Sequence, residues 1–319
     1  MLSLKNYLNS LINNQRGFTL VLVSAGMLAL LGFTALVTDI GLLAVNRQQL
    51  VNAVDAAALA GAHELPVNTA LARDTAVNYA LLNGCSPDPP MVTADNNRQD
   101  TKITVTATRQ VNYIFAKILG FNSGTVEARA SAHVAGITSF KGAAPLAIPD
   151  QTFDFNTRYI LKQGSNSETE SHLGPGTYGA LSLGGSGAGN YEDNLKYGYG
   201  GKLRVGDIVE TETGNMSNPT KRAIDYRIDL CGHSPECTVS SFDPGCSRIL
   251  IIPVYKPNLI QSGQIKEIRI IGFAAFLVDR VTGQGNENYI EGYFIRMVAE
   301  GDSSSGQTDY GLQGVKLVE

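Results

Sequence analysis

Three cysteines and a histidine fall close together late in the chain, in the run Cys231-Gly-His233-Ser-Pro-Glu-Cys237, with Cys246 nine residues further on and Cys85 far upstream. Three thiolates and one imidazole match a tetrahedral zinc site in number and type. The tight C-x2-C hooks common in structural zinc sites are missing, however. Outside the cytoplasm, disulfides among Cys85, Cys231, Cys237 and Cys246 account for the same residues. Disulfides are therefore the expectation and no metal is assigned; the three complete pairings that four cysteines allow stay open.

Other patterns suggest chemistry less strongly. Leu183-Gly-Gly-Ser-Gly-Ala-Gly-Asn190 is glycine-rich, as phosphate loops are, but lacks the Gly-Lys-Ser/Thr ending and the G-x-G-x-x-G order, so a flexible turn is expected. Val205-Gly-Asp-Ile-Val209 resembles the barrel turn of signal-peptidase-like domains, whose chemistry needs a serine activated by a lysine, or by a histidine and a carboxylate. No serine stands in a G-x-S-x-G setting, and His63, His133, His172 and His233 are each isolated. No catalytic residue and no cofactor is expected, and the chain is not read as an enzyme. Tyr191, Tyr197 and Tyr199, beside Gly198, Gly200 and Gly201, offer rigid amphipathic area for a carbohydrate or protein contact. Glu168, Glu170, Glu192 and Asp193 carry oxygens of the kind calcium takes. Neither group has a diagnostic spacing, so core and solvated-turn roles are expected.

What positions all of these residues is an apolar stretch near the amino terminus. From Phe18 to Thr38 there are 21 residues without a charge, and Asp39 is the first acid. At about 1.5 Å per helical residue this covers the roughly 30 Å hydrocarbon core of a bilayer. A cleaved secretory signal would be shorter and closely followed by its cleavage site; the nearest A-x-A, Ala58 to Ala60, lies well beyond the apolar run. Lys5 and Arg16 precede the span with no acid, whereas Asp39, Arg47, Asp55 and Glu64 nearly cancel after it. The positive-inside bias then keeps the first 17 residues in the cytoplasm and puts everything from Asp39 onward outside. A net charge of −4 over 319 residues offers no basic field for nucleic acid.

The helix is expected to continue past the bilayer, since Leu42 to Ala62 is rich in helix formers and the first proline is Pro66. A seam of small side chains, Ala53, Ala57, Ala60 and Gly61, lets another backbone approach closely. That backbone belongs either to the same domain or to a second copy of the chain, which makes self-association through the seam one expectation.

The stretch RGFTLVLVSAGMLALLGFTALVTDIGLLAVNRQQLVNAVDAAALAGA resembles the amino-terminal segment of the TadE/TadG-like family of Flp (tight-adherence) pilus assembly. The features shared are Arg16 and Gly17 before the span, Asp39 after it, and the run Asp55 to Ala62; the similarity continues through Val111 to Val134, about the first 137 residues in all. This resemblance implies a membrane-anchored, extracytoplasmic component of a pilus-assembly system whose partners are the membrane and other pilus-assembly or envelope proteins. On it, Gly17, Phe18, Asp39, Asp55, Ala57 and Gly61 are the anchor and helix-interface residues. The junction around Gly17-Phe18 also resembles the processing site of type IV prepilins, but Leu22 stands where a pilin has its glutamate. A minor pilin-like subunit cut after Gly17, and a membrane-anchored adhesin, are the alternatives.

The remaining organisation follows from pattern. Leu4, Leu8, Leu11 and Ile12 make a short amphipathic start. A second helix is expected from Asn68 to Leu82, a polar loop to Asp100, a strand from Thr101, a helical turn at Phe115 to Leu119 and a strand over Thr125 to Val134. These form an α+β unit over 39–137, joined by a linker, 138–148, to a β-rich domain over 149–319, expected as a sandwich or partly open barrel. Strand candidates there are Tyr159 to Leu161, Gly179 to Leu183, Lys202 to Val205, Ile208 to Thr211, Arg248 to Val254, Ile265 to Val281 and Tyr289 to Val298. One helix opens at Ser217 and ends near Leu230. This region resembles, more weakly, the carboxy-terminal part of some TadG-related proteins, without the Asp-x-Ser-x-Ser of a von Willebrand type A domain: in Gly301-Asp302-Ser303-Ser304-Ser305-Gly306 a glycine stands where the second serine belongs.

Overall fold

The computed structural model describes residues 17–95, 98–155, 157–161, 179–212, 214, 216–256, 265–283 and 288–318. The amphipathic start at Leu4 to Ile12, together with Arg16, Glu168, Glu170 and His172, lies outside the described residues. Among the described residues the first element is a single helix, α1, Phe18–Ala62, without interruption over its 45 residues. It runs on because nothing breaks it: alanine and leucine dominate, and the next proline is Pro66. From Phe18 to Val37 its side chains are almost all exposed, whereas Leu50, Ala53, Val54, Ala57, Ala58, Gly61 and Ala62 are buried. The two halves of one helix therefore meet different surroundings.

Helix α2, Thr69–Leu82, starts where the Asn68 side chain accepts a hydrogen bond from the Leu71 amide at 2.9 Å, and it packs Ala72, Ala76 and Ala80 toward α1. The chain then forms β1, Met91–Asp95, in what was expected to be loop, and β2, Arg98–Asn112. A short 3-10 turn, Ala116–Leu119, leads into β3, Ser123–Lys141. β2 and β3 form a long antiparallel hairpin, from Lys102 opposite His133 to Asn112 opposite Ser123. Ile103, Val105 and Ala107 from β2 and Val126, Ala128, Ala130 and Ala132 from β3 close on α1 and α2. Alanine is the commonest residue in this core, which brings helix and sheet backbones close together.

β3 does not stop at the end of this unit. Its burial alternates at first and then becomes continuous from Ala130 to Ile137. It reaches Lys141, inside the segment expected to be a linker, and Ala143 to Ile148 beyond it are almost all buried.

The carboxy-terminal region holds β4, Ile148–Pro149; β5, Arg158–Ile160; helix α3, Ala188–Tyr197; β6, Lys202–Arg204; β7, Ile208–Glu210; and helix α4, Ser217–Asp229. It continues with β8, Ile249–Tyr255; β9, Glu267–Thr282; β10, Tyr289–Ile295; β11, Met297–Val298; β12, Asp302–Ser304; and β13, Leu312–Val318. One sheet has the order β4-β8-β9-β10-β5, with β7 also paired to β9. Both of its faces are covered, which is why ILIIPVY in β8 is apolar throughout. Leu250, Ile252 and Val254 face one core, with α3 and α4, and Ile249, Ile251 and Tyr255 face the other. A register shift between Val254 and Tyr255 accounts for a change of face in β9: Ile268 and Ile270 share a core with Phe273, Ala275 and Leu277.

The other sheet joins both regions. Its order is β1-β2-β3-β13-β11, with β12 and β6 also on β3, so the last strand of the chain completes the amino-terminal sheet. β13 runs antiparallel to β3 from Gln313 opposite Gly136 to Val318 opposite Ser131. The fold is α+β, and the sheets do not close into a barrel.

Candidate functional site

The exposed half of α1 is apolar over a length sufficient to cross a membrane, and it is the only such helix among the described residues. Three of its four hydroxyls are satisfied internally: Ser24, Thr34 and Thr38 donate to the carbonyls of Leu20, Leu30 and Thr34 at 2.7, 2.9 and 2.7 Å. This suits a solvent that offers no hydrogen bonds. Gly17 and Phe18 stand exposed at its start.

Asp39 ends this exposed run and is only 5% exposed itself. Its carboxylate accepts from the amides of Ile114 at 2.7 Å, Phe115 at 3.1 Å and Ala116 at 2.6 Å. These N–H groups open the 3-10 turn, which has no side-chain cap of its own. A helix residue distant in sequence thus caps it. The clamp fixes a tip that shows Ile114, Phe115, Ile118 and Phe121 to the outside, Ile118 at 85% exposure and Phe121 at 64%. Lys117 is exposed among them. A second link lies further along the helix, where Arg109 donates to the Gly84 carbonyl at 2.6 Å and to Gln49 at 3.4 Å. An acid just past the apolar run signals a special role in the sequence; its partners, some 75 residues away, do not.

The small-residue seam is filled by the chain's own domain. Ala53 and Ala57 are fully covered, and a Cβ at Gly61 would meet the Ala72 carbonyl oxygen at 2.7 Å and Ile103 Cδ1 at 2.8 Å. At Ala53, Ala57 and Gly61 the seam is thus occupied by α2 and β2, whereas Ala60 is half-buried. Asp55 is half-buried on the same segment.

None of the four cysteines is in a disulfide. Cys85 lies in the amino-terminal core, whereas Cys231, Cys237 and Cys246 belong to the carboxy-terminal region, so the expected pairing of Cys85 with any of them has no geometric basis. The other three converge with His233: one ligand atom from each residue lies within 4.8 Å of all the others. Cys231 Sγ is 3.4 Å from Cys246 Sγ and 3.5 Å from His233 Nδ1. His233 is therefore not isolated, as its sequence neighbourhood suggested. Burial raises the pKa of the Cys231 thiol, but hydrogen bonds with His233, Cys246 and Cys237 together outweigh it and the net shift is downward; burial pushes Cys246 upward.

The remaining candidates are structural. The glycine run leads into α3, where Asn190 and Asn194 both donate to the Leu183 carbonyl, at 2.8 and 2.7 Å. Tyr191 is buried against Thr220, not displayed; Tyr197 and Tyr199 line a cavity of about 900 Å³ together with Phe140, Cys246, Met297 and Glu300. Glu192 pairs with Lys196 and Arg222. Val205 to Val209 turns between β6 and β7, with Asp207 accepting from the Arg204 amide at 2.8 Å. Asp302 is held by Lys202 and Ser139, each at 2.6 Å.

Comparison with known proteins bears on the amino-terminal part. Residues 17–64 match the TadE/G-like Flp pilus-assembly family, and residues 41–132 match a second, Tad-like Flp pilus-assembly family. No curated protein and no solved structure matches the chain. The matched span contains α1, the Asp39 clamp, α2 and most of the β2–β3 hairpin. Over residues 17–132, well under half of the chain, the sequence is thus similar to Flp pilus-assembly families, TadE/G-like over 17–64 and Tad-like over 41–132, and this part carries α1 and the Asp39 clamp.

Proposed function

We propose that the protein is a single-pass membrane component of Flp-type pilus assembly, with its amino terminus in the cytoplasm and everything beyond Asp39 outside, and that it acts by docking to other pilus or envelope proteins without catalysis. The observation that carries this reading is the Asp39 clamp. It stands where the exposed apolar part of α1 ends, and it holds an apolar tip against that end of the helix. Such a joint fixes the angle between the anchor and the folded region, which a docking protein needs and a tethered adhesin does not. The exchange of β13 into the amino-terminal sheet supports the same reading, because a separable display head would not complete the fold of its own anchor.

The test is Asp39→Ala beside Asp39→Asn in the full chain, in a pilus-forming host. Asparagine keeps one acceptor oxygen; alanine keeps none. The expectation is normal membrane insertion of both variants, protease cleavage near Phe115 from the outer side only in the alanine variant, and pili lost with alanine and reduced with asparagine. Normal piliation and an uncut tip in Asp39→Ala would overturn the reading. An intact mass of the membrane-extracted protein tests the processed alternative, since cleavage after Gly17 removes Met1 to Gly17.

A further inference from the structure

We propose that Cys231, His233, Cys237 and Cys246 bind one zinc ion as a closed, structural four-ligand site. A zinc–sulfur bond of about 2.3 Å sets tetrahedral ligand edges at about 3.8 Å, slightly less where one ligand is a nitrogen. The separations of 3.4 Å between two sulfurs and 3.5 Å between sulfur and Nδ1 are close to such edges, and far from a sulfur–sulfur bond of about 2.05 Å. The imidazole orientation is an independent indication. His233 turns Nδ1 toward Cys231 Sγ and Nε2 toward Asp243 Oδ2, which at 3.8 Å is beyond hydrogen-bond reach but stands on the side where carboxylate partners of ligating histidines are found.

The surrounding segment gives the ion something to do. From Leu230 to Arg248 the chain links α4 to β8 with only the Thr238–Ser241 bridge as regular structure, longer than the roughly 12–15 residues at which such connections become uncommon. Its ends are fixed. Arg227 donates to the Ser247 carbonyl at 2.7 Å, and Arg248 pairs with Glu236 at 2.6 Å and donates to the Val278 carbonyl at 2.8 Å. Between those ends there is little apolar material besides the cysteines, Val239 and Phe242. Four protein ligands leave no open coordination position, so the site is structural, and its thiol protons leave to solvent as the ion binds. A disulfide between any two of the three sulfurs would leave the third thiol and the imidazole turned to Cys231 unexplained.

The experiment is metal analysis by plasma mass spectrometry on the full chain, purified in detergent without chelator or reductant, with thiols counted after denaturation in a chelator. About one zinc per chain and four alkylatable cysteines are expected, falling at least fivefold in zinc for Cys246→Ser and unchanged for Cys85→Ser. Should Cys246→Ser fail to fold, cobalt added to chelator-stripped wild type gives the answer: visible bands of tetrahedral cobalt with thiolate charge transfer support the site. Two alkylatable cysteines, an intact mass lowered by one hydrogen pair and no zinc would overturn it, as would a cobalt spectrum without thiolate bands.

Discussion

Two helix pairs among the described residues are held by opposite means. Where α2 crosses α1, the contact is made of Ala57, Ala58, Gly61, Ala72, Ala76 and Ala80, with carbonyl and methyl groups nearly touching. Where α4 lies beside α3, larger groups meet in specific pairs: Tyr191 with Thr220 at 3.0 Å, Tyr197 edge-on to Tyr226 at 5.6 Å, Arg227 on the Leu195 carbonyl at 2.6 Å, and Glu192 between Lys196 and Arg222. The first contact has no tolerance for volume, because backbone stands on both sides of it. The second is also buried, but it depends in addition on charge and hydrogen bonding.

The sharpest way to break the comparison is to add volume to the first pair. Gly61→Leu forces a side chain into the Ala72 carbonyl and Ile103, and should destabilise the full chain by about 3 kcal/mol or more, the upper end of overpacking effects. Gly41→Leu is the control, since nothing lies within 4 Å of a Cβ there and helix propensity rises. Thermal unfolding in detergent, followed by near-ultraviolet dichroism, should show a large drop for the first and almost none for the second. Equal midpoints would mean that the small-residue seam does not govern the fold.

That seam was visible in the sequence, and so were α1, α2, α4, most strands of the carboxy-terminal region and the singular position of Asp39. These features depend on periodicity, breakers and uninterrupted apolar runs, all of which are local. What stayed hidden is non-local or short. The pairing of β13 with β3 joins positions far apart in sequence, and alternation in a strand does not say which edge it will find. Helix α3 follows a glycine run and has only Tyr191 and Leu195 as buried apolar positions, so its signal is lost beside LGGSGAG. The cysteine cluster was visible as a list of ligands but not as a site, because the spacing C-x-H-x3-C-x8-C takes its meaning from how one irregular loop turns back on itself.

A smaller effect is expected at the centre of the second pair. Thr220 Oγ1 donates to the Met216 carbonyl at 2.7 Å, so in the buried contact with Tyr191 the phenol is the donor. Tyr191→Phe therefore strips one acceptor of its partner while leaving the packing in place, and should cost about 1 kcal/mol. Denaturant midpoints at neutral pH measure it. A loss as large as that for Gly61→Leu would show that α3 and α4 depend on shape as α1 and α2 do, and the comparison would fail.

The smallest effect is also the most selective, because it depends on pH. Hydrogen bonds from Arg222 and Lys196 hold the Glu192 carboxyl down at about 2, below its ordinary value of 4.5. A carboxyl whose pKa is depressed by folding adds stability while it is ionised in both states. That contribution is complete above about 4.5 and is lost as the pH falls through the folded value near 2. Glu192→Gln should thus be less stable than wild type at neutral pH, by no more than about 1 kcal/mol given that Arg222 is solvent-exposed, with the gap closing between about pH 5 and pH 2. At low pH both proteins carry a neutral side chain at this position and should unfold together. The groups that a side chain at position 61 would meet, Ala72, Ala76 and Ile103, do not titrate, so the gap between Gly61→Leu and wild type should not close over the same range. A constant gap for Glu192→Gln would mean that its carboxylate contributes shape and not charge, which would remove the main distinction between the two helix pairs.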